Sequence, residues 1–70
     1  MEYVVVSYPS IRDVFMDGQV VGKTGDTLRV ETGHHAFDLG DPHDYSPDSV
    51  ALDVQDTTPI RPLRIDFHPL

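Results

Sequence analysis

The stretch Val14–Leu39, VFMDGQVVGKTGDTLRVETGHHAFDL, decides the fold class of this chain. Apolar side chains alternate with polar ones in short runs, and Asp17-Gly18 and Thr32-Gly33 separate those runs. Alternation of period two is typical of half-buried strands, and Asp-Gly fits a tight hairpin turn. The stretch therefore predicts consecutive short strands, and we interpret its glycines and paired histidines as scaffold rather than as a functional site.

Strand patterns also occur on both sides of this stretch. No window of eleven or more residues keeps apolar side chains at helical spacing without an interrupting glycine or proline. We therefore predict an all-β fold, a small antiparallel β-sandwich of about seven short strands whose two inner faces supply the core. The predicted strands are Glu2–Ser7, Asp13–Met16, Gln19–Gly22, Thr27–Glu31, His35–Leu39, Val50–Val54 and Leu63–Phe67.

The length of the chain, 70 residues, allows one thin core. A domain near this size buries only about 60% of the surface that its unfolded chain exposes. The absence of cysteine excludes a disulfide. We predict one domain over residues 1–67, followed by a loose tail at 68–70. The predicted core residues are Val4, Val6, Val14, Met16, Val20, Leu28, Val30, Phe37, Leu39, Val50, Leu52, Val54, Leu63, Ile65 and Phe67.

Charge is unevenly distributed. Twelve acidic and five basic side chains give a formal net charge of −7, and no Lys or Arg lies between Val30 and Ile60. Such a surface repels phosphates, so we expect no nucleic acid partner and interpret the acids mainly as solubilising. The acidic residues of that interval are Glu31, Asp38, Asp41, Asp44, Asp48, Asp53 and Asp56.

The first ten residues, MEYVVVSYPS, lack the basic start and the long apolar run of a signal peptide. No window approaches the roughly 18 apolar residues that a membrane helix needs. We expect no membrane partner and a cytoplasmic location for the chain as it stands. This expectation does not extend to a longer protein of which the chain is a fragment.

Five motifs, SYPSIRDVFMDG, VGKT, LRV, GHHAFDL and DYSP, follow one another between about Tyr3 and Val54. Their order resembles the PEGA domain, a short all-β module of bacterial and archaeal proteins. The sequence departs from that family at Pro9–Arg12, which keeps only the proline of the eponymous tetrapeptide, and at Asp44, where the family has glycine. The resemblance implies a transthyretin-like or carboxypeptidase-regulatory-like sandwich that acts as an accessory, adhesion or interaction module without catalytic residues. In this arrangement Tyr45 clamps its loop onto the sheet and bonds the backbone through its phenol.

A metal site is an alternative interpretation of the histidines and acids near the middle of the chain. Zinc takes three or four nitrogen, sulfur or carboxylate ligands, but neighbouring strand residues point to opposite faces. The candidate ligands that remain are His34, Asp38 and His43. No recognised ligand spacing supports this set, so we expect no physiological metal.

Two other functional patterns are incomplete. The serines lie in no nucleophile elbow, and a sandwich this small has little room for a water-excluding pocket, so we expect no catalytic residue and no enzyme activity. Gly22-Lys23-Thr24 matches the end of a P-loop, but Gly18 is one residue too near and no helix follows. We predict a turn there and no cofactor.

Strand edges are the better functional lead, because their unpaired N–H and C=O groups can capture another chain. The first strand is uncharged from Tyr3 to Tyr8 and predicts such an edge, with Tyr3, Val5 and Ser7 as its contact residues, and Pro59–Phe67 is a second candidate. Both segments are equally compatible with central positions, since one sequence does not fix strand order.

From these observations we predict a noncatalytic module that binds another protein, or a second copy of itself, through a strand edge. One alternative is a small acidic inhibitor that occupies a basic groove as a nucleic acid mimic. The other is a module stabilised by a metal at His34, Asp38 and His43.

Overall fold

The computed structural model describes all 70 residues, and strands are its only regular elements, which confirms the all-β fold class. No helix long and apolar enough to cross a membrane is present. The strands are β1 (Glu2–Ser7), β2 (Asp13–Met16), β3 (Gln19–Lys23), β4 (Thr27–Val30), β5 (Gly33–Asp38), β6 (Tyr45–Ser46), β7 (Val50–Val54), β8 (Leu63–Asp66) and β9 (His68–Pro69).

Two sheets form the sandwich. One has the strand order β4-β1-β8 and the other has the order β3-β2-β5-β7, while β6 and β9 form a small two-stranded ladder. All pairs are antiparallel except β1 and β8, which run parallel with Val4 opposite Leu63. The prediction of a purely antiparallel arrangement is therefore wrong for this pair. The chain crosses from one sheet to the other after β7 and then enters beside β1 in the same direction.

The core lies between the two sheets, since both contribute its buried side chains. Burial alternates strictly along β1, so Val4 and Val6 face inward as predicted. The buried apolar residues are Val4, Val6, Val14, Leu28, Val30, Phe37, Leu39, Tyr45, Val54, Ile65 and Phe67.

Five predicted core residues lie outside this fully buried set. Val20 is 55% exposed, because the register shifts between Val14 and Phe15 and turns Val21 toward the core instead. Such a bulge adds one residue to a strand and reverses its inside-outside alternation beyond that point. The other four pack at the margin of the core and stay partly buried: Met16, Val50, Leu52 and Leu63.

The predicted hairpin turn at Asp17-Gly18 is confirmed. Both residues have positive φ, 53° and 85°, as the favoured two-residue hairpin turn requires. The Asp17 amide donates to the Ala36 carbonyl at 2.8 Å, so the turn also contacts the neighbouring strand β5.

The carboxyl-terminal residues do not form the predicted loose tail. His68–Pro69 pairs with Tyr45–Ser46, and the Leu70 amide donates to the Asp44 carbonyl at 3.0 Å. Phe67, just before them, is 2% exposed and packs edge-on against the Tyr45 ring with centroids 5.5 Å apart. Burial of Phe67 brings the tail alongside a loop whose backbone groups need partners, which orders both segments.

Tyr45 confirms one expectation and corrects another. Its phenol oxygen accepts a hydrogen bond from the Leu39 amide at 3.3 Å, so the ring does clamp its loop through a backbone contact. The side chain is also 2% exposed and belongs to the core, although the apolar pattern did not include it. Tyrosine provides such dual anchoring because its ring is apolar and its hydroxyl is polar.

Two glycines with left-handed backbone provide a test of this packing. Gly40 has φ +67°, and a Cβ there would lie 2.4 Å from the Phe15 ring, whereas Gly25 has φ +87° and open space around it. We expect Gly25→Ala to destabilise the fold by about 1–2 kcal/mol through backbone strain. Gly40→Ala adds overpacking and should cost about 2–5 kcal/mol. Urea unfolding of both variants measures the difference; equal losses would contradict the contact with Phe15.

Candidate functional site

On one side of the sandwich, which we call the closed side, a side chain fills the gap between the two sheets. The Leu28 side chain packs onto the Gly22 backbone so closely that a Cβ at Gly22 would lie 2.3 Å from its Cδ2. This contact brings β3 and β4, the first strands of the two sheets in spatial order, against each other. The edges formed by β7 and β8 therefore lie on the opposite side.

The prediction that Tyr3, Val5 and Ser7 form an exposed edge is wrong. They lie on β1, which is the central strand of its sheet, with β4 on one side and β8 on the other. An uncharged run suits this position, because a central strand has backbone partners on both sides. β8, part of the second candidate segment Pro59–Phe67, is an edge strand.

Among the edge strands, β7 has the fewest features that block pairing with another chain. Natural edges are protected by Lys, Pro, bulges or short length. Lys23 lies on β3, Arg29 on β4, and Arg64 on the four-residue β8. β7 has five residues, a regular register with β5, no basic residue and no proline, and its single charge is Asp53.

The backbone groups that β7 leaves unpaired can be assigned from its neighbour β5. Ala36 directs both its backbone groups toward β2, since its carbonyl accepts from the Asp17 amide and its amide donates to Asp17 Oδ1 at 3.0 Å. Backbone groups alternate in direction along an antiparallel strand. Because Ala36 is opposite Ala51, the backbone groups of Ala51 and Asp53 point away from β5. We name these groups, with the side chains of β7, the β7 edge.

The side chains of the β7 edge alternate between the core and the surface. Val54 is buried and Leu52 is half-buried, whereas Ala51 and Asp53 are exposed. Asp53 Oδ1 lies 2.9 Å from Nδ1 of His34 on the neighbouring strand. Both of these side chains are largely exposed, so the pair contributes little to stability.

A buried carboxylate holds the connection that follows β7. Glu2 is 8% exposed, and its Oε1 accepts hydrogen bonds from the Thr57 amide at 2.9 Å and the Thr57 hydroxyl at 2.5 Å. Its Oε2 accepts from the Thr32 hydroxyl at 2.5 Å. The hydroxyl of Thr32 and then the groups of Thr57 lower the pKa of Glu2 to about 2, because these donors favour the ionised form.

A second polar anchor, Arg12, lies near the β6–β9 ladder. Its guanidinium donates to Asp44 Oδ1 and to the Pro42 carbonyl, each at 2.8 Å. The same group lies between the rings of Tyr8 and Tyr45, 5.7 and 5.5 Å from their centroids. The hydrogen bond that Arg12 donates to Asp44 raises the pKa of Arg12, so the cation is fixed at any ordinary pH.

Arg12 also borders the one cleft of the structure, which has a volume of about 290 Å³. Both basic groups of the cleft are paired with acids, since Arg12 binds Asp44 and Lys23 forms an ion pair with Asp13. The lining residues are Ile11, Arg12, Asp13, Phe15, Lys23, Leu39 and Asp41.

His35 forms part of the hairpin scaffold. Its Nδ1 lies 2.7 Å from Asp17 Oδ2 and its Nε2 lies 2.8 Å from the Glu31 carbonyl, so both ring nitrogens face acceptors. The Asp17 carboxylate first, and then the Glu31 carbonyl, raise the pKa of His35. With both nitrogens engaged, the ring has no free position for proton transfer or metal binding.

The structure does not bring the candidate metal ligands together. His34 contacts Asp53, and His43 Nε2 lies 3.2 Å from Asp48 Oδ1, while Asp38 ends β5 away from both pairs. No group of three or more His, Asp or Glu side chains is placed to hold a metal ion. The convergence of His34, Asp38 and His43 that the metal alternative requires is therefore not observed.

The segment that resembles a P-loop ends in a structural turn. Thr24 is 7% exposed, and its hydroxyl donates to the Ser10 carbonyl at 2.9 Å and accepts from the Arg12 amide at 3.0 Å. Both hydrogen-bonding roles of this hydroxyl are used within the chain. The predicted turn at Lys23–Asp26 is confirmed by its place between β3 and β4.

Comparison with known proteins identifies no relative. No protein-family model matches the chain, and no curated protein or solved structure matches it significantly. The resemblance to the PEGA domain therefore stays a prediction that rests on the order of motifs alone.

Three features of the molecule were not predicted from the sequence: the β7 edge, Glu2 and Arg12. Glu2 offered one usable signal, because it is the only acid in the otherwise uncharged first strand. Acids on apolar strands are seldom buried unless they are bonded. Its partners, Thr32 and Thr57, lie 30 and 55 residues away and could not be identified from local spacing.

The pKa of Glu2 predicts how stability changes with acid. The pKa of Glu2 in the folded state lies below the ordinary value of 4.5. The carboxylate therefore stabilises the fold fully above pH 4.5, and this stabilisation is lost as the pH falls toward 2. We expect the free energy of unfolding to fall across this interval in the unsubstituted chain, and to fall less steeply in Glu2→Gln. Chemical unfolding at a series of pH values tests this. Glu31→Gln is the control, and an equally shallow profile in that variant would contradict the assignment.

The Arg12 contacts predict that lysine cannot replace this residue. A lysine lacks the planar guanidinium group, which donates to both Asp44 and the Pro42 carbonyl while it lies over two aromatic rings. We expect Arg12→Lys to lower the free energy of unfolding by about 1–3 kcal/mol. Arg64→Lys is the matched control, because Arg64 is largely exposed and its loss should stay within about 0.5 kcal/mol. Equal effects of the two substitutions in urea unfolding would contradict the role of Arg12.

Proposed function

We propose that this chain is a noncatalytic interaction module that receives an extended segment of a protein partner along the β7 edge. The observation that carries the proposal is the free backbone of Ala51 and Asp53 on a strand without basic residue, proline or bulge. An added strand would gain backbone hydrogen bonds there, as in other cases of strand addition to a sheet.

For a partner that is a different protein, the charge around β7 favours a basic segment. The interval from Val30 to Ile60 carries seven acidic and no basic residues, and β7 lies within it. Asp48 precedes the strand, Asp53 lies on it and Asp56 follows it. A segment that alternates Lys with apolar residues would meet acids on the exposed face and the half-buried Leu52 on the other.

We propose no catalysis, because the polar groups that could react are already bonded to other groups of the chain. The carboxylate of Glu2, the guanidinium of Arg12, the hydroxyl of Thr24 and the ring of His35 all bond to groups within the chain. A reacting group needs a free position facing its substrate in a concave site.

The acidic-inhibitor alternative lacks a comparable observation. Phosphate mimicry needs carboxylates that are free to meet a basic groove. Of the seven acids, Asp44 is bonded to Arg12, and the acids near β7 accompany unpaired backbone groups that a phosphate mimic does not need. We therefore retain strand addition as the proposed function.

Amide chemical shifts measured by NMR test strand addition directly. We expect a short peptide of alternating Val and Lys to shift the amides of Ala51 and Asp53 more than those of β3, β4 or β8. A peptide of the same composition with proline at its centre should not, because it cannot complete the ladder. Ala51→Pro removes an outward amide without removing a hydrogen bond to β5, so it should abolish the response. Larger shifts at another edge, or none, would overturn the proposal.

A further inference from the structure

We infer that the partner of the β7 edge is a second copy of this chain, bound through antiparallel pairing of β7 with β7 about a twofold axis at Leu52. This inference rests on the proposed function, because it assumes that the β7 edge is the binding edge. It adds the identity of the partner and the register of the contact.

The direction of the backbone groups fixes this register. In an antiparallel ladder the outward groups of one strand must meet outward groups of the other. Those groups belong to Ala51 and Asp53, and Leu52 between them directs its own groups toward β5. Centring the axis on Leu52 places Ala51 of each copy opposite Asp53 of the other. Each such pair exchanges two N–H···O=C bonds, so the contact contains four.

The side chains are compatible with the same register. Asp53 of each copy faces an alanine, so no like charges lie directly opposite each other, which would be unfavourable across strands. The two Leu52 side chains meet at the axis as a non-hydrogen-bonded pair, the type with the closest side chains. Leu52 is half-buried in one copy and gains an apolar neighbour in the pair.

The connection between β7 and β8 adds an apolar side chain to this side of the molecule. Ile60 is 89% exposed, and it lies on the segment that joins the two edge strands opposite the closed β3–β4 side. The hydrogen bonds from Thr57 to Glu2 hold the start of this segment in place. The open side therefore offers an apolar contact as well as a strand edge.

Net charge distinguishes a second copy from a basic partner. Two copies that each carry −7 repel one another, so added salt should strengthen their pairing by screening this repulsion. A basic peptide is attracted, so added salt should weaken its binding. The sign of the salt dependence thus reports which partner occupies the β7 edge.

Analytical ultracentrifugation of the full chain tests the inference, with opposite charges introduced at one position. In the inferred register, Ala51→Lys faces Asp53 of the other copy and should tighten the pair, whereas Ala51→Asp should weaken it. We expect the dissociation constants of these two variants to differ by about tenfold or more, since each dimer contains the contact twice. Circular dichroism confirms that both variants are folded.

The matched controls are Thr27→Lys and Thr27→Asp, which make the same changes in net charge at an exposed residue of β4 on the closed side. If the two pairs of substitutions shift the dissociation constant equally, net charge explains the effect and the inferred register is overturned. A chain that stays monomeric at high concentration and high salt also overturns the inference. If that monomer still shows peptide-induced shifts at Ala51 and Asp53, strand addition stands and only self-pairing fails.

Discussion

The arrangement of the whole molecule depends on the carboxylate of Glu2. Eleven buried apolar residues fill the space between the sheets, and such a thin core cannot by itself fix the long connections. Glu2 starts the central strand β1 and bonds both Thr32, between β4 and β5, and Thr57, after β7. One ionised group therefore joins the start of the chain to two of the connections that cross between the sheets. The pKa of Glu2 is low because those hydrogen bonds stabilise its ionised form.

Arg12 has the corresponding role for the loop before β6. Glu2 is an anion that accepts from hydroxyl and amide donors, whereas Arg12 is a cation that donates to a carboxylate and a carbonyl. Polar side chains thus stabilise connections that the apolar pattern leaves undetermined. Neither of these anchors, nor the contact of Leu28 with Gly22, involves a residue of β7.

The alternation of apolar and polar residues predicted the main strands well, because a strand with one buried face has an apolar residue at every second position. Pairing across long sequence distances could not be predicted in the same way. Nothing near Leu63 indicates that β8 runs parallel to β1, and nothing near His68 indicates that it pairs with Ser46. The β7 edge was missed for this reason, although its strand was predicted, since edge position depends on strand order. The histidines His34, His35 and His43 each contact an acid of the same chain.

The contact of Leu28 with Gly22 has a consequence for assembly size. A sheet that can accept a neighbour at both ends propagates into a fibre, whereas one with a single usable end cannot. Leu28 ties β3 to β4, and Lys23 and Arg29 on these two edges oppose pairing, so the proposed strand addition at β7 would complete an assembly instead of extending it. The glycine that permits this close approach therefore holds the two protected edges side by side.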